Sequence, residues 1–138
     1  MKTLDQLIRL HRHRLTERQK ALAALEAKAA QLRQQAAELE ARALIEAARA
    51  EQSEFGTFGW GAYLMRIKVE RERLHAAGTE LGRRIQEARA ILRAAFEELK
   101  RIEILKEQKV AVAEAEAKKR EQAGLDEVAI SQHRRKEA

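Results

Sequence analysis

Residues 53–61 read SEFGTFGWG and interrupt a chain that otherwise consists almost entirely of helix-forming residues. This stretch contains three of the six glycines and three of the five aromatic residues. Gly56 can adopt the left-handed conformation that ends a helix, and Thr57 can cap the helix that follows. We therefore predict a turn over residues 54–59.

The composition on both sides of this turn excludes a β-fold and an α/β enzyme fold. Ala, Glu, Arg, Leu and Lys account for 91 of the 138 residues, and the chain has no proline and no cysteine. Alanine supplies 27 of the apolar residues, so the bulky apolar side chains are too few for a thick core and suit a narrow seam between helices.

Before the turn, apolar residues recur at alternating steps of four and three. Positions with this average spacing of 3.5 residues lie along one side of a helix, as they do in a coiled coil. Thr3 and Gln6 form a capping box at the start. The seam consists of Leu4, Ile8, His11, Leu15, Arg18, Leu22, Leu25, Ala29, Leu32, Ala36, Leu39 and Ala43.

After the turn, a second seam follows the same rule. If the chain folds back at Gly56, paired residues have numbers that sum to about 113, and Leu4 then lies near Lys109. The second helix extends past this point without a partner. The seam consists of Trp60, Leu64, Ile67, Arg71, Leu74, Gly78, Leu81, Ile85, Ala88, Leu92, Ala95, Leu99 and Ile102.

The predicted fold is all-α: one long two-helix antiparallel coiled-coil hairpin over residues 1–138 with an overhanging C-terminal helix. Helix 1 is predicted over residues 3–53 and helix 2 over residues 60–123. Gly124 is expected to end helix 2, and residues 124–138 to form a short separate element that is itself helical. The alanine-rich seams suit a monomer and a four-helix assembly equally well, and this alternative stays open.

The charge pattern argues against a dedicated nucleic-acid site. The net charge is +6, but basic and acidic side chains alternate along the whole chain. DNA binding is therefore a minor alternative that rests on the basic pI. The chain shows neither a secretory leader nor an apolar run of about 18 residues, so we expect a cytoplasmic protein without direct membrane insertion.

Catalytic, cofactor and metal sites are not expected. The chain has no glycine-rich phosphate loop, no nucleophile elbow and only two aspartates. His11 and His13 point in nearly opposite directions on a helix, so they do not form a metal pair. His11, Arg18 and Arg71 are instead expected to set the register of the seam.

The aromatic residues are concentrated at the turn, because four of the five lie between Phe55 and Tyr63. Large aromatic side chains at an exposed end are typical anchors of a protein interface. They could equally close the open end of the core between the helices, and composition does not separate the two interpretations.

Four segments of the sequence resemble the FliJ family of flagellar type III export proteins, in the form found in alphaproteobacteria. They are the opening MKTLDQLIRL (1–10), the turn FGTFGWGAY (55–63), the run FEELKRIE (96–103) and the ending LDEVAI (125–130) with Arg134 and Arg135. The turn and the ending are the most informative, because neither depends on the heptad pattern.

The resemblance implies a non-enzymatic, soluble component of the flagellar export apparatus, similar to the stalk of rotary ATPases. It implies that this component binds and activates the export ATPase hexamer and couples it to the cytoplasmic domain of the export-gate membrane protein. Export chaperones are further implied partners. Such a protein would act in the cytoplasm, peripherally at the cell membrane.

The resemblance also implies which residues contact these partners. At the hairpin tip, the export gate would contact Phe58, Trp60, Tyr63 and Ile67. At the paired termini, the ATPase would contact Leu4, Ile8, Leu125, Asp126, Glu127, Arg134 and Arg135. A structural scaffold or holdase chaperone that carries export partners is the alternative function, and it is favoured by the aromatic tip alone.

Overall fold

A computed structural model describes residues 2–52 and 59–137 of the chain. It contains two α-helices, α1 (Lys2–Gln52) and α2 (Trp60–Glu137), and no strand among the described residues. The two helices pack against each other, which confirms the all-α helical hairpin. The expected roles of Gly56 and Thr57 in the turn lie outside the described residues.

The paired helices form two compact units. The middle unit contains residues 14–95, and the terminal unit contains residues 1–13 together with residues 96–138. The expectation of one uninterrupted hairpin domain stays a prediction.

The core of the middle unit is a narrow row of side chains between α1 and α2. Leu39, Ile67 and Leu74 are its buried centre, with exposed fractions of 6–7%. The half-buried side chains that pack against this centre are Leu32, Ala36, Ala43 and Tyr63. Leu81 and Ile85 continue the buried row along α2. Burial of this row is the main source of stability, because a lone helix in water is only marginally stable.

In the terminal unit, Leu4 and Ile8 of α1 and Leu99 of α2 are buried. Val110 is the last residue of α2 that is partly covered, and every described residue from 111 to 137 is exposed. The predicted overhang is therefore present as a helix whose faces are all open to water.

Part of the second seam was predicted on the wrong side of the helix. Leu64, Arg71 and Gly78 are exposed, and the residues that precede them, Tyr63, Glu70 and Ala77, are half-buried instead. From Trp60, the predicted seam advances by four and then three residues, whereas the covered positions advance by three and then four. The two patterns coincide at every second position, which is why both contain Ile67, Leu74 and Leu81. Arg18 of α1 is likewise exposed rather than part of the seam.

The predicted end of helix 2 at residue 123 is also wrong, because α2 continues through Gly124 to Glu137. A glycine inside a helix costs about 1 kcal/mol relative to alanine. No proline follows Gly124, and most of its neighbours favour a helix, so this penalty does not interrupt the segment.

Four ion pairs connect the two helices. In the middle unit, Arg71 binds both carboxylate oxygens of Glu40 at 2.5 and 2.8 Å. The residue numbers of every pair sum to 111 or 115, which agrees with the predicted antiparallel register near 113. The other three pairs are Arg89 with Glu26 at 3.6 Å, Lys106 with Asp5 at 2.5 Å, and Arg12 with Glu103 at 3.6 Å.

These pairs shift the acid equilibria of their carboxylates. The hydrogen bond from Arg71 lowers the pKa of Glu40 below its ordinary value of 4.5, and the hydrogen bond from Lys106 lowers the pKa of Asp5 below 3.8. A carboxyl group with a lowered pKa in the folded state stabilises the fold above its ordinary pKa. That contribution is lost as the pH falls through the folded-state pKa.

We predict that Ile67→Ala destabilises the hairpin by about 2–5 kcal/mol, because it leaves a cavity in the buried row. Met65→Ala is the matched control, since Met65 is exposed on the same helix and its loss should change stability by less than about 0.5 kcal/mol. Thermal and urea unfolding followed by circular dichroism measure both. Equal effects of the two variants would contradict the assignment of the core.

We further predict that Glu40→Gln lowers the melting temperature at pH 7 and that this effect becomes smaller towards pH 3, because the wild type loses the ion pair as the pH falls through the lowered pKa of Glu40. Glu116→Gln is the control, because Glu116 lies in the exposed part of α2. Melting curves between pH 3 and pH 7 test this. A Glu40→Gln effect of the same size at both pH values would show that the ion pair does not contribute to the pH dependence.

Candidate partner-binding surfaces

Trp60 and Tyr63 are held together by the way in which α2 begins. Gly59 has a positive φ of 77°, and its carbonyl oxygen accepts the backbone N–H of Tyr63 at 3.0 Å. Gly59 therefore occupies the N-cap position of α2, where a residue with a side chain would be strained at this φ. Trp60 and Tyr63 are three residues apart and thus lie on the same side of the first turn.

The two aromatic rings form a stacked pair. Their centroids are 5.3 Å apart with an interplanar angle of 22°, and the guanidinium of Arg66 lies 5.9 Å from the centroid of the Tyr63 ring. Tyr63 also packs against the core centred on Leu39. Both residues are half-buried, so the stacked pair still presents a surface to water.

The other two residues predicted for the tip differ from this pair. Ile67 is only 6% exposed and belongs to the core, so its contribution to a surface is indirect. Phe58 lies outside the described residues. Arg66 was missed in the sequence, because a cation above an aromatic ring depends on side-chain placement that heptad spacing does not specify.

Several large apolar side chains of the middle unit are exposed away from the seam. Leu44 is 74% exposed and Ile45 is 53% exposed on α1, while Met65 and Val69 are both 60% exposed on α2. Sequence reasoning passed over them because they interrupt the heptad pattern. Apolar residues that do not fit the periodic pattern were the signal that could have identified this surface.

A groove of about 470 Å³ lies along the middle unit where small residues leave a gap between the helices. Its lining includes the small residues Ala29, Ala36 and Gly78 together with the ion pair of Glu40 and Arg71. The groove is open to solvent along its length. It is a shallow groove rather than an enclosed cavity.

In the terminal unit, the residues predicted on α1 are structural. Leu4 and Ile8 are buried, so they hold the start of α1 against α2. Beside them, Asp5, Arg9 and Arg12 of α1 face Glu103 and Lys106 of α2 across a charged groove of about 690 Å³. In this unit, the surface beside Leu4 and Ile8 is therefore formed by charged side chains and not by the predicted apolar residues themselves.

The residues predicted at the other end of the chain are accessible. Leu125 is 58% exposed, and Val128 and Ile130 are exposed to a similar extent. Asp126 accepts a hydrogen bond from Gln122 at 3.2 Å. Arg134 and Arg135 lie in the last turn of α2, where positive side chains interact favourably with the carbonyl end of the helix.

No group of three or more His, Asp or Glu side chains could hold a metal ion within residues 2–52 and 59–137. None of the helices in the described part of the chain is long and apolar enough to cross a membrane. The accessible features of the described residues are the aromatic pair, the exposed apolar side chains and the exposed C-terminal part of α2.

The chain matches the family described as flagellar FliJ protein over residues 1–138. No curated protein and no solved structure matches the chain significantly. The family is a non-catalytic component of flagellar protein export. A hairpin of two helices is compatible with such a role. The chain, matched over its whole length, belongs to the FliJ family of flagellar proteins.

Proposed function

We propose that this protein binds the hexameric flagellar export ATPase through the C-terminal part of α2 and stimulates its activity. It couples the ATPase to the cytoplasmic domain of the export gate and to export chaperones, at the cytoplasmic side of the cell membrane. Membership of the family supports the setting in flagellar export, and the exposed part of α2 supports the mode of binding.

The observation that carries the proposal is the exposure of residues 111–137. All 27 are helical and exposed, so this part of α2 has no partner helix within residues 2–52 and 59–137. A helix of this length measures about 40 Å and is about 10–12 Å across with its side chains. Because it presents every face to its surroundings, it can contact several subunits of a ring at once.

The side chains of this segment suit a protein partner. Leu125, Val128 and Ile130 expose apolar surface, and burial of each in an interface contributes about 1.5–3 kcal/mol. Arg134 and Arg135 add positive charge next to them and favour an acidic partner surface. When this helix binds, the subunits of the ring would displace water from its surface. Because its apolar and charged side chains differ from one face to the next, the helix would contact the subunits unequally.

The other end of the hairpin has a different chemistry and is assigned to the export gate. The stacked Trp60 and Tyr63 combine apolar area with a hydrogen-bonding group, as do typical interface anchors. The two sites lie at different positions along the chain, so their functions should be separable by mutation.

We predict that the purified protein increases ATP hydrolysis by the cognate flagellar export ATPase and increases its hexameric fraction. Val128→Glu should reduce this stimulation at least several-fold, because it places a charge on the apolar contact. Val69→Glu is the matched control, since Val69 is a similarly exposed valine of the same helix. No stimulation by the wild-type protein at saturating concentration would overturn the proposal.

A second prediction separates the two ends. Trp60→Ala should weaken binding to the cytoplasmic domain of the export gate, measured by isothermal calorimetry, and should leave ATPase stimulation unchanged. Circular dichroism verifies that the variant is folded. If Trp60→Ala abolishes ATPase stimulation and Val128→Glu retains it, the two sites are assigned the wrong way round.

A further inference from the structure

Helix α1 carries a second heptad pattern on the side opposite its buried seam. It runs from residue 23 to residue 48 in the same alternating steps of four and three. We call it the outer face, and it consists of Ala23, Ala27, Ala30, Gln34, Ala37, Ala41, Leu44 and Ala48. Every one of these side chains is exposed, whereas Leu32, Ala36 and Leu39 on the other side pack into the core.

The outer face is more than a row of small residues. Leu44 is the most exposed large apolar side chain among the described residues, and Ile45 beside it is also uncovered. Gln34 of this face donates a hydrogen bond to Glu38 of the same helix at 3.3 Å, and the apolar side chains of the face are open to water. A heptad-spaced face of exposed apolar residues is the pattern of a helix that pairs with another helix. The charged residues that border this face indicate which helix.

We propose that the outer face pairs with the outer face of a second copy of this chain, with the two α1 helices antiparallel. In this arrangement, facing residues have numbers that sum to 71. Ala27 then lies opposite Leu44 of the second copy, Ala30 opposite Ala41, and Gln34 opposite Ala37. The inference does not depend on the proposed function, because it concerns the middle unit alone.

The bordering charges are self-complementary in this register. In an antiparallel pair of helices, each border of the face meets the same border of the partner helix. Arg33 then meets Glu40 of the second copy, and Gln31 meets Glu38. Each of these contacts occurs twice by symmetry. Glu40 already binds Arg71 within its own molecule, so Arg33 of the second copy would complete a three-membered charge network.

Neighbouring registers are unfavourable. A shift of one heptad in one direction places Glu40 against Glu40 and Glu38 against Glu38. A shift in the other direction places Arg33 against Arg33 and Glu26 against Glu40. Like charges in these positions oppose association, so only the central register has no repulsive pair among these residues.

The antiparallel orientation is also favoured over the parallel one. The parallel arrangement can pair Arg33 with Glu38, but it places the apolar side chain of Ile45 next to Glu40 of the second copy. The antiparallel arrangement places Ile45 over Ala24 and aligns the two helix dipoles in opposite directions. The polar Gln34 near the centre lies close to Gln34 of the second copy and helps to specify the alignment.

The interface is small. A face of 26 residues is about 39 Å long, and a contact about 10 Å wide buries roughly 800 Å² in total, below the ~1,600 Å² of a standard stable interface. Association should therefore be weak and reversible and become visible at high protein concentration. Since pairing covers the outer face, the paired state excludes any other partner of that face.

Sedimentation equilibrium of the full chain tests the proposal. Between about 5 and 500 µM protein, the average mass should rise from the 15.8 kDa of one chain towards twice that value. Ala37→Glu should weaken association at least tenfold, and Ala76→Glu, an exposed alanine on α2, is the matched control. A wild-type chain that remains monomeric throughout, or equal effects of the two variants, would overturn the proposal.

An exchange of charges tests the register. Arg33→Glu alone and Glu40→Arg alone should each weaken self-association, because each creates two repulsive pairs. A mixture of the two variants should form a heterodimer in which the attraction is restored. Circular dichroism confirms that Glu40→Arg is folded without its contact to Arg71. A mixture that associates no better than the separate variants would overturn the register.

Disulfide cross-linking tests the orientation. The chain has no native cysteine, so only the introduced cysteines can form a disulfide. Chains with Ala23→Cys and chains with Ala48→Cys, mixed and mildly oxidised, should form a disulfide between the two variants. Each variant alone should not cross-link, because its two cysteines would lie about 37 Å apart. Cross-linking of each variant only with itself would show a parallel pair and overturn the proposed arrangement.

Discussion

The mutual burial of two narrow apolar rows is the constraint on which the rest of this structure depends. The rows are thin: Leu39, Ile67 and Leu74 retain a few per cent of exposed surface, and no described side chain falls below 2%. Each helix therefore shields only one side of the other, and most of both helices remains in water. A hairpin built in this way has much exposed surface in relation to its core.

The apolar rows alone do not define the register, because an alanine-rich seam tolerates a shift of one heptad at low cost. The ion pairs between the helices supply this information. Glu40 with Arg71 and Asp5 with Lys106 are short contacts, one in each unit, and both agree with a single antiparallel register. Exposed ion pairs contribute little to stability, so their effect is chiefly to disfavour the alternatives.

The fold was predictable because the steps of four and three are a direct consequence of helix geometry. Which flanking residue enters the core was not predictable from spacing. Tyr63 replaces Leu64 because its ring can stack on Trp60 and still reach the Leu39 cluster, and that depends on side-chain shape. At Gly124 a local rule was applied too strongly, since a penalty of about 1 kcal/mol does not end a helix of good helix formers.

The candidate contact residues fall into a buried group and an exposed group. The family resemblance suggested the contact positions at the ends of the chain, and burial then separates Leu4 and Ile8, which hold the fold together, from Leu125 and Val128, which are exposed. A helix with one buried side must expose the others, so its outward residues can change without unfolding the hairpin. Apolar side chains in such positions, as at Leu44 and Val128, bury little surface within the chain, and the interfaces proposed above would remove that surface from water.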